Sequence, residues 1–278
     1  MKPIEPPVPR HYVVSPTQWV AARVELLKKK KHHGFLAVLG FAVVLSLGGP
    51  NDIAGQNGGT KQPVPLKEAK LNIEHNATDE DTGFQGAIDS DGWERLVITG
   101  PRGKVLPLSA HQELRSLGLT ELFFETVEPE NAEVPIEEVL AVLPEGAYTI
   151  EGTTVEGGRT IGTALLTHAI PAGPVLLFPA EGAAVPPTNL VVSWSPVTKT
   201  ITGEDVTIIR YQLIVEVDEE PHPHAIGKRG MSLYVPASVT SVTVPNEFLE
   251  SGTDYQWEVL AIEESGNQTL SSGAFSTE

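Results

Sequence analysis

After residue 68 the chain alternates apolar and polar positions over short runs. Successive side chains of an extended strand point to opposite faces, so a period of two predicts half-buried β-strands. Residues 83–88 and 94–99 read as two strands around a turn, Asp89-Ser90-Asp91-Gly92, whose residue types favour tight turns. Pro101-Arg102-Gly103 is a second turn, leading into a strand over 104–108. Residues 119–127 predict another strand, with Leu122 and Phe124 on one face. One stretch breaks the pattern: Ile136, Val139, Leu140 and Leu143 recur at helical spacing within 134–143, and Pro135 suits a first helical turn. Pro144-Glu145-Gly146 then turns into a strand over 147–151, which Gly157-Gly158 joins to 160–167 as a hairpin. Pro171-Ala172-Gly173-Pro174 reads as a hinge.

Beyond that hinge the pattern sharpens. Leu190-Val191-Val192-Ser193-Trp194 is an apolar strand ending in tryptophan, and Tyr211-Gln212-Leu213-Ile214-Val215 is a second that begins with an aromatic. Over 239–244, Val239, Ser241 and Thr243 oppose Thr240, Val242 and Val244. In Leu249-Glu250-Ser251-Gly252-Thr253-Asp254-Tyr255 a leucine precedes a turn and a tyrosine follows, with Phe275 supplying a last strand. Residues 174–278 resemble a fibronectin type III domain in these motifs and their order. The resemblance implies that Trp194, Tyr211, Leu249 and Tyr255 are core positions. It also implies that the Tyr255 hydroxyl bonds back to backbone, since a tyrosine buried at a sandwich corner must satisfy its O–H. Asp218 to Gly230 departs from the family as a longer, more polar excursion.

The expected fold is therefore all-β. Two tandem β-sandwich domains occupy 68–172 (with one short helix) and 173–278, the second fibronectin type III-like. A Gly-, Asn- and Pro-rich linker precedes them at 51–67.

Charge sets the first fifty residues apart. They hold seven Lys or Arg against two acids, whereas 51–278 holds 12 basic against 34 acidic residues, a net −22 within the overall −17. Lys28-Lys29-Lys30-Lys31 precedes the apolar run 35–47, and Gly48-Gly49-Pro50 ends it, the parts of a secretory signal. Thirteen helical residues reach roughly 20 Å, short of a hydrocarbon core of roughly 30 Å. An uncleaved anchor, touching membrane only through 35–47, and a buried helix are the alternatives. Export to the periplasm, the extracellular space or a membrane surface is the expected location. The acidic body repels phosphate backbones and argues against nucleic acid. No cysteine occurs, which excludes a disulfide scaffold, thiolate metal sites and a cysteine nucleophile.

Two clusters carry candidate chemistry. Asp79, Asp81, Asp89 and Asp91 place hard oxygen ligands near a glycine turn, as calcium sites do, but no later bidentate Glu follows and a solvated turn is the favoured reading. No other cofactor is implied. Glu219, Glu220, His222 and His224 share one Pro-rich loop, and in an extended segment His222 and His224 point the same way, towards one metal or a partner. Glu263-Glu264-Ser265-Gly266-Asn267 is the next exposed turn, at the opposite end of the sandwich. Asn76-Ala77-Thr78 and Asn267-Gln268-Thr269 have the form of glycosylation acceptors. The nucleophile, zinc-protease, phosphate-loop and dinucleotide motifs are absent, His75, His111 and His168 are isolated, and Glu125 and Glu128 are no more than paired acids. The functional expectation is a non-catalytic binding or adhesion module for a protein or glycan. A calcium-stabilised spacer and an accessory domain of a carbohydrate-active system are the alternatives; the latter needs an aromatic-lined groove.

Overall fold

Alternating strands with turn residues between them fold as the period demands, into sheets. The computed structural model describes residues 62–225 and 227–278. The signal or anchor segment and most of the linker lie outside the described residues.

The first part comprises β1 (Val64–Pro65), β2 (Glu68–Asn76), β3 (Asp81–Gly100), β4 (Gly103–Ser109), α1 (Gln112–Leu117), β5 (Leu119–Glu125), α2 (Ile136–Leu140), β6 (Gly146–Thr154) and β7 (Arg159–Leu166). The second comprises β8 (Leu176–Phe178), β9 (Ala183–Val185), β10 (Val191–Trp194), β11 (Ile208–Val217), β12 (Gly230–Pro236), β13 (Ser241–Thr243), β14 (Asp254–Glu263) and β15 (Gln268–Thr277). One sheet runs β1-β7-β6-β3-β2-β15-β14-β11-β12, and a small one runs β13-β10-β8. The described residues are all-β apart from two short helices. α2 forms where helical spacing predicts it, with Pro135 capping it and Val139 buried. α1 buries none of its residues, so no apolar period announces it.

The expected turn at Asp89-Ser90-Asp91-Gly92 is not a turn. β3 continues through it, and its register shifts there against β5 and just beyond, between Trp93 and Arg95, against β6. Ser90 is buried, and Trp93 just beyond it lies at 1% exposure. Small polar residues and glycine also suit a bulge, which bends a strand without ending it. The bend lets β3 pair with β2 and β5 before it and with β6 and β4 after it.

Two apolar clusters result. Ile73, Phe84, Trp93, Leu96, Tyr148 and Ile150 centre the first. Trp194, Tyr211, Leu213, Tyr255, Trp257 and Phe275 centre the second, between the three-stranded sheet and the β15-β14-β11 face. All four positions expected in that core are buried. The Tyr255 hydroxyl accepts from the Glu250 N–H at 2.7 Å and donates to the Phe248 carbonyl at 3.3 Å. Gly252 supplies the left-handed backbone, φ 68°, that this corner needs. Tyr148 does the same for the first cluster, donating to the Pro144 carbonyl at 2.7 Å.

Residues 171–174 are not a free hinge. A Cβ on Gly173 would fall 2.4 Å from Ala77 Cβ, and the Ala172 N–H donates to the Lys199 carbonyl at 2.8 Å. Pro and Gly are here because the chain passes close to its neighbours.

Candidate functional site

The two parts meet along a seam. β15 pairs in parallel with β2 through Gln268↔Glu74, Thr269↔His75 and Leu270↔Asn76. Asn267, at 1% exposure, donates from Nδ2 to the Thr167 carbonyl (3.0 Å) and the Ala169 carbonyl (3.2 Å), and its Oδ1 accepts from the Ile73 N–H (2.9 Å). Thr269 Oγ1 donates to the Pro171 carbonyl at 2.5 Å. Gln268 Nε2 donates to Glu74 and, at 3.2 Å, to Gln85 Oε1. A buried polar group costs little once bonded and much when its partner is removed, so this network fixes the seam.

Acids gather beside it. Strand alternation puts Glu74, Glu258 and Glu216 on the sheet face away from the second cluster. Burial pushes the Glu258 carboxyl up to about 8; Glu74, Glu216 and Asp79 add to the rise and Lys228 opposes it. Burial likewise lifts Glu74 to about 7, against the hydrogen bond from Gln268. Burial raises Glu216 too, opposed by Lys228. Glu258 Oε2 has no hydrogen-bond partner among the described residues. Burial therefore shifts all three carboxyls, which are 2–5% exposed, towards the protonated form.

A cleft of about 640 Å³ opens over the same seam. One wall carries Asn72, Gln85, Phe123 and Leu165 from the first part, and the other carries Ile209, Arg210 and Tyr234 from the second. Phe123 and Tyr234 are 39% and 37% exposed, whereas the tryptophans of both clusters are buried. The Arg210 guanidinium lies 4.7 Å from the centre of the Tyr234 ring, a cation–π contact. Arg210 Nε is buried without a partner among the described residues.

The residues singled out from sequence lie elsewhere. Asp81 and Asp89 face opposite ends of β2, Asp81 opposite Asn76 and Asp89 opposite Glu68, a separation of roughly 26 Å at the rise of a strand. Asp79, Asp81, Asp89 and Asp91 therefore make no common calcium site. Asp79 accepts from Asn76 Nδ2 at 3.0 Å, and Asp91 pairs with Lys67 at 2.7 Å. Among the described residues no three His, Asp or Glu side chains are grouped to hold a metal ion.

The polar loop does connect β11 to β12 at the surface, but not in extended form. The Ala225 N–H donates to the His222 carbonyl, and the His224 N–H donates to His222 Nδ1 at 3.2 Å, which occupies one ring nitrogen. The two rings stand 5.7 Å apart. Glu219 takes a bidentate pair from Arg229 at 2.8 and 3.0 Å, and Arg229 also reaches Glu250 at 2.8 Å. The Arg229 guanidinium holds the Glu219 carboxyl below its usual range. Glu220 lies in the same exposed loop.

The turn expected to be exposed at 263–267 is instead packed into the seam. Glu263 is buried and accepts from the Ser265 and Asn267 N–H groups, and Ser265 Oγ lies 2.6 Å from Thr167 Oγ1. Asn267 is thus a structural residue. Asn76 likewise builds the β2–β3 turn, its Oδ1 accepting from the Thr78 and Asp79 N–H groups. His75 is buried, with Nδ1 3.0 Å from the Asp81 carbonyl, and burial lowers its pKa.

A comparison with protein-family models finds no match, and a search of curated proteins finds none. No described helix is long and apolar enough to cross a membrane, which says nothing about the run at 35–47. The cleft itself left one trace in the sequence. If Leu122 and Phe124 face the core, Phe123 must face away from it, a large aromatic on the outer side of a strand.

Proposed function

We propose that the chain is an exported, non-catalytic binding protein of two tandem β-sandwiches, the second of fibronectin type III kind, which holds its ligand in the cleft between them. The basic run Lys28 to Lys31 and the apolar stretch behind it support export. The sheets β13-β10-β8 and β15-β14-β11-β12, with the tyrosine tied at its corner, support the fibronectin type III assignment.

The cleft carries the functional reading. Its 640 Å³ falls within the usual range of ligand sites, and such sites favour junctions between folded parts. Its lining joins exposed apolar groups, Phe123, Leu165, Ile209 and Tyr234, to a few polar ones. In the exposed loop after β11, by contrast, the Glu219 carboxylate is already paired with Arg229. Soaking crystals of the chain in phenol, isopropanol and glycerol tests the reading. The probes should cluster between Phe123 and Tyr234. Clustering at the loop, with the cleft left to water, would refute it.

A further inference from the structure

We infer that the cleft binds a neutral oligosaccharide; this deepens the binding reading above and rests on it. Three observations converge. The first is aromatic exposure. The chain has only 6% aromatic residues, and most of the described ones pack into the two clusters; of the three left exposed, Phe123, Phe178 and Tyr234, the first and last line this cleft, one from each part. A sugar ring presents an apolar C–H face and a rim of hydroxyls, so it stacks on such a side chain while remaining hydrogen-bonded.

The second is charge. The lining carries Lys70 and Arg210 against Glu68 and Glu264, with Lys70 paired to Glu68, so its charges balance in a chain of net charge −17. An anionic glycan would meet no net positive field here and would be repelled by the body.

The third is the hydrogen-bonding set. Gln268 uses its amide nitrogen across the seam and Gln85 its carbonyl oxygen. That leaves the Gln85 amide nitrogen and the Gln268 carbonyl oxygen, with Asn72 in the same lining and the Arg210 guanidinium, its Nε buried, lying against the Tyr234 ring. Planar amides and a guanidinium supply donors and acceptors side by side, the pattern that adjacent sugar hydroxyls complete. An extended peptide would be held differently, by adding to a free strand edge. Of the lining strands, β2, β3, β11 and β14 are paired on both sides; β5 and β12 are paired on one side only, but each contributes a single residue, Phe123 and Tyr234, so the lining offers side chains rather than a run of free backbone.

The test uses the full chain and four tetrasaccharides: β-1,4-linked glucose, β-1,4-linked N-acetylglucosamine, α-1,4-linked glucose and, as the anionic comparator, galacturonate. Calorimetry should detect at least one neutral member, and amide shifts in labelled protein should centre on Asn72, Gln85 and Gln268. Phe123→Ala and Tyr234→Ala should each weaken that binding by about tenfold, the scale of one lost aromatic contact. Both side chains are exposed enough that their melting curves should stay close to wild type. Phe123→Leu and Tyr234→Leu, which keep apolar bulk but remove the ring, serve if the alanine variants do not fold. Galacturonate binding in the cleft while the neutral sugars stay inert would overturn the ligand class and leave the cleft reading standing. No binding at all would overturn the ligand class, and shifts confined to residues outside the cleft, or binding indifferent to both ring deletions, would overturn both.

Discussion

Glu258→Gln isolates the protonated carboxyl at the seam. Glu258 is 2% exposed and faces Glu74, Glu216 and Asp79, with Lys228 the nearest counter-charge. Its pKa rises from an ordinary 4.5 to about 8. Between those values the unfolded chain has released the proton while the folded chain keeps it. Rising pH then favours the unfolded state, by about 1.4 kcal/mol per pH unit for this one group. The loss begins above pH 4.5 and is complete above pH 8, where it amounts to about 4–5 kcal/mol. Glu74 acts in the same direction up to about pH 7. His75 opposes them, because a buried imidazole with a lowered pKa loses its stabilising contribution as pH falls below 6.5. The difference between wild type and variant cancels His75. Glutamine mimics the protonated acid, so at pH 5 urea denaturation should place the two proteins within about 1 kcal/mol of each other. At pH 9 the variant should be the more stable by several kcal/mol. Parallel stability curves from pH 5 to pH 9 would refute a proton held at Glu258.

Tyr255→Phe removes the hydroxyl bound to Glu250 and Phe248, and should lower stability by about 1–2 kcal/mol in urea with the slope unchanged. Trp194→Ala opens a cavity in the second cluster and should cost about 3–5 kcal/mol by the same assay. Asn267→Leu strands the Thr167 and Ala169 carbonyls and the Ile73 N–H, and should cost at least about 2 kcal/mol, measured as a fall in the urea midpoint. An unchanged midpoint would mean that Asn267 is not what ties the seam.

The parts of this molecule that were legible in its sequence are those written locally. The corner at Tyr255 needs a leucine, a glycine and a tyrosine within seven residues, and β6–β7 needs only a glycine turn between two alternating runs. What escaped depends on distant partners. Asp89 to Gly92 carries the same residues whether it turns or bulges, and only β5 and β6, arriving later in the chain, decide for a bulge. Asn267 has the look of an exposed acceptor, but its partners lie 98 to 194 residues away. The acid-rich segment around Asp79 to Asp91 suggested one calcium site because its aspartates are near in sequence, while the β2–β3 ladder sends them to opposite ends. The cleft is the extreme case. Phe123 and Tyr234 come to line one cleft only after β15 has docked on β2, a pairing that no alternation pattern specifies.

The most direct test is a crystal structure of the full chain with the neutral tetrasaccharide that calorimetry ranks tightest. A sugar ring should lie against Phe123 or Tyr234, with hydroxyls bonded to Arg210 and to the Gln85–Gln268 pair. A saccharide bound instead on the loop 218–229, or a cleft holding only water at saturating sugar, would contradict the account.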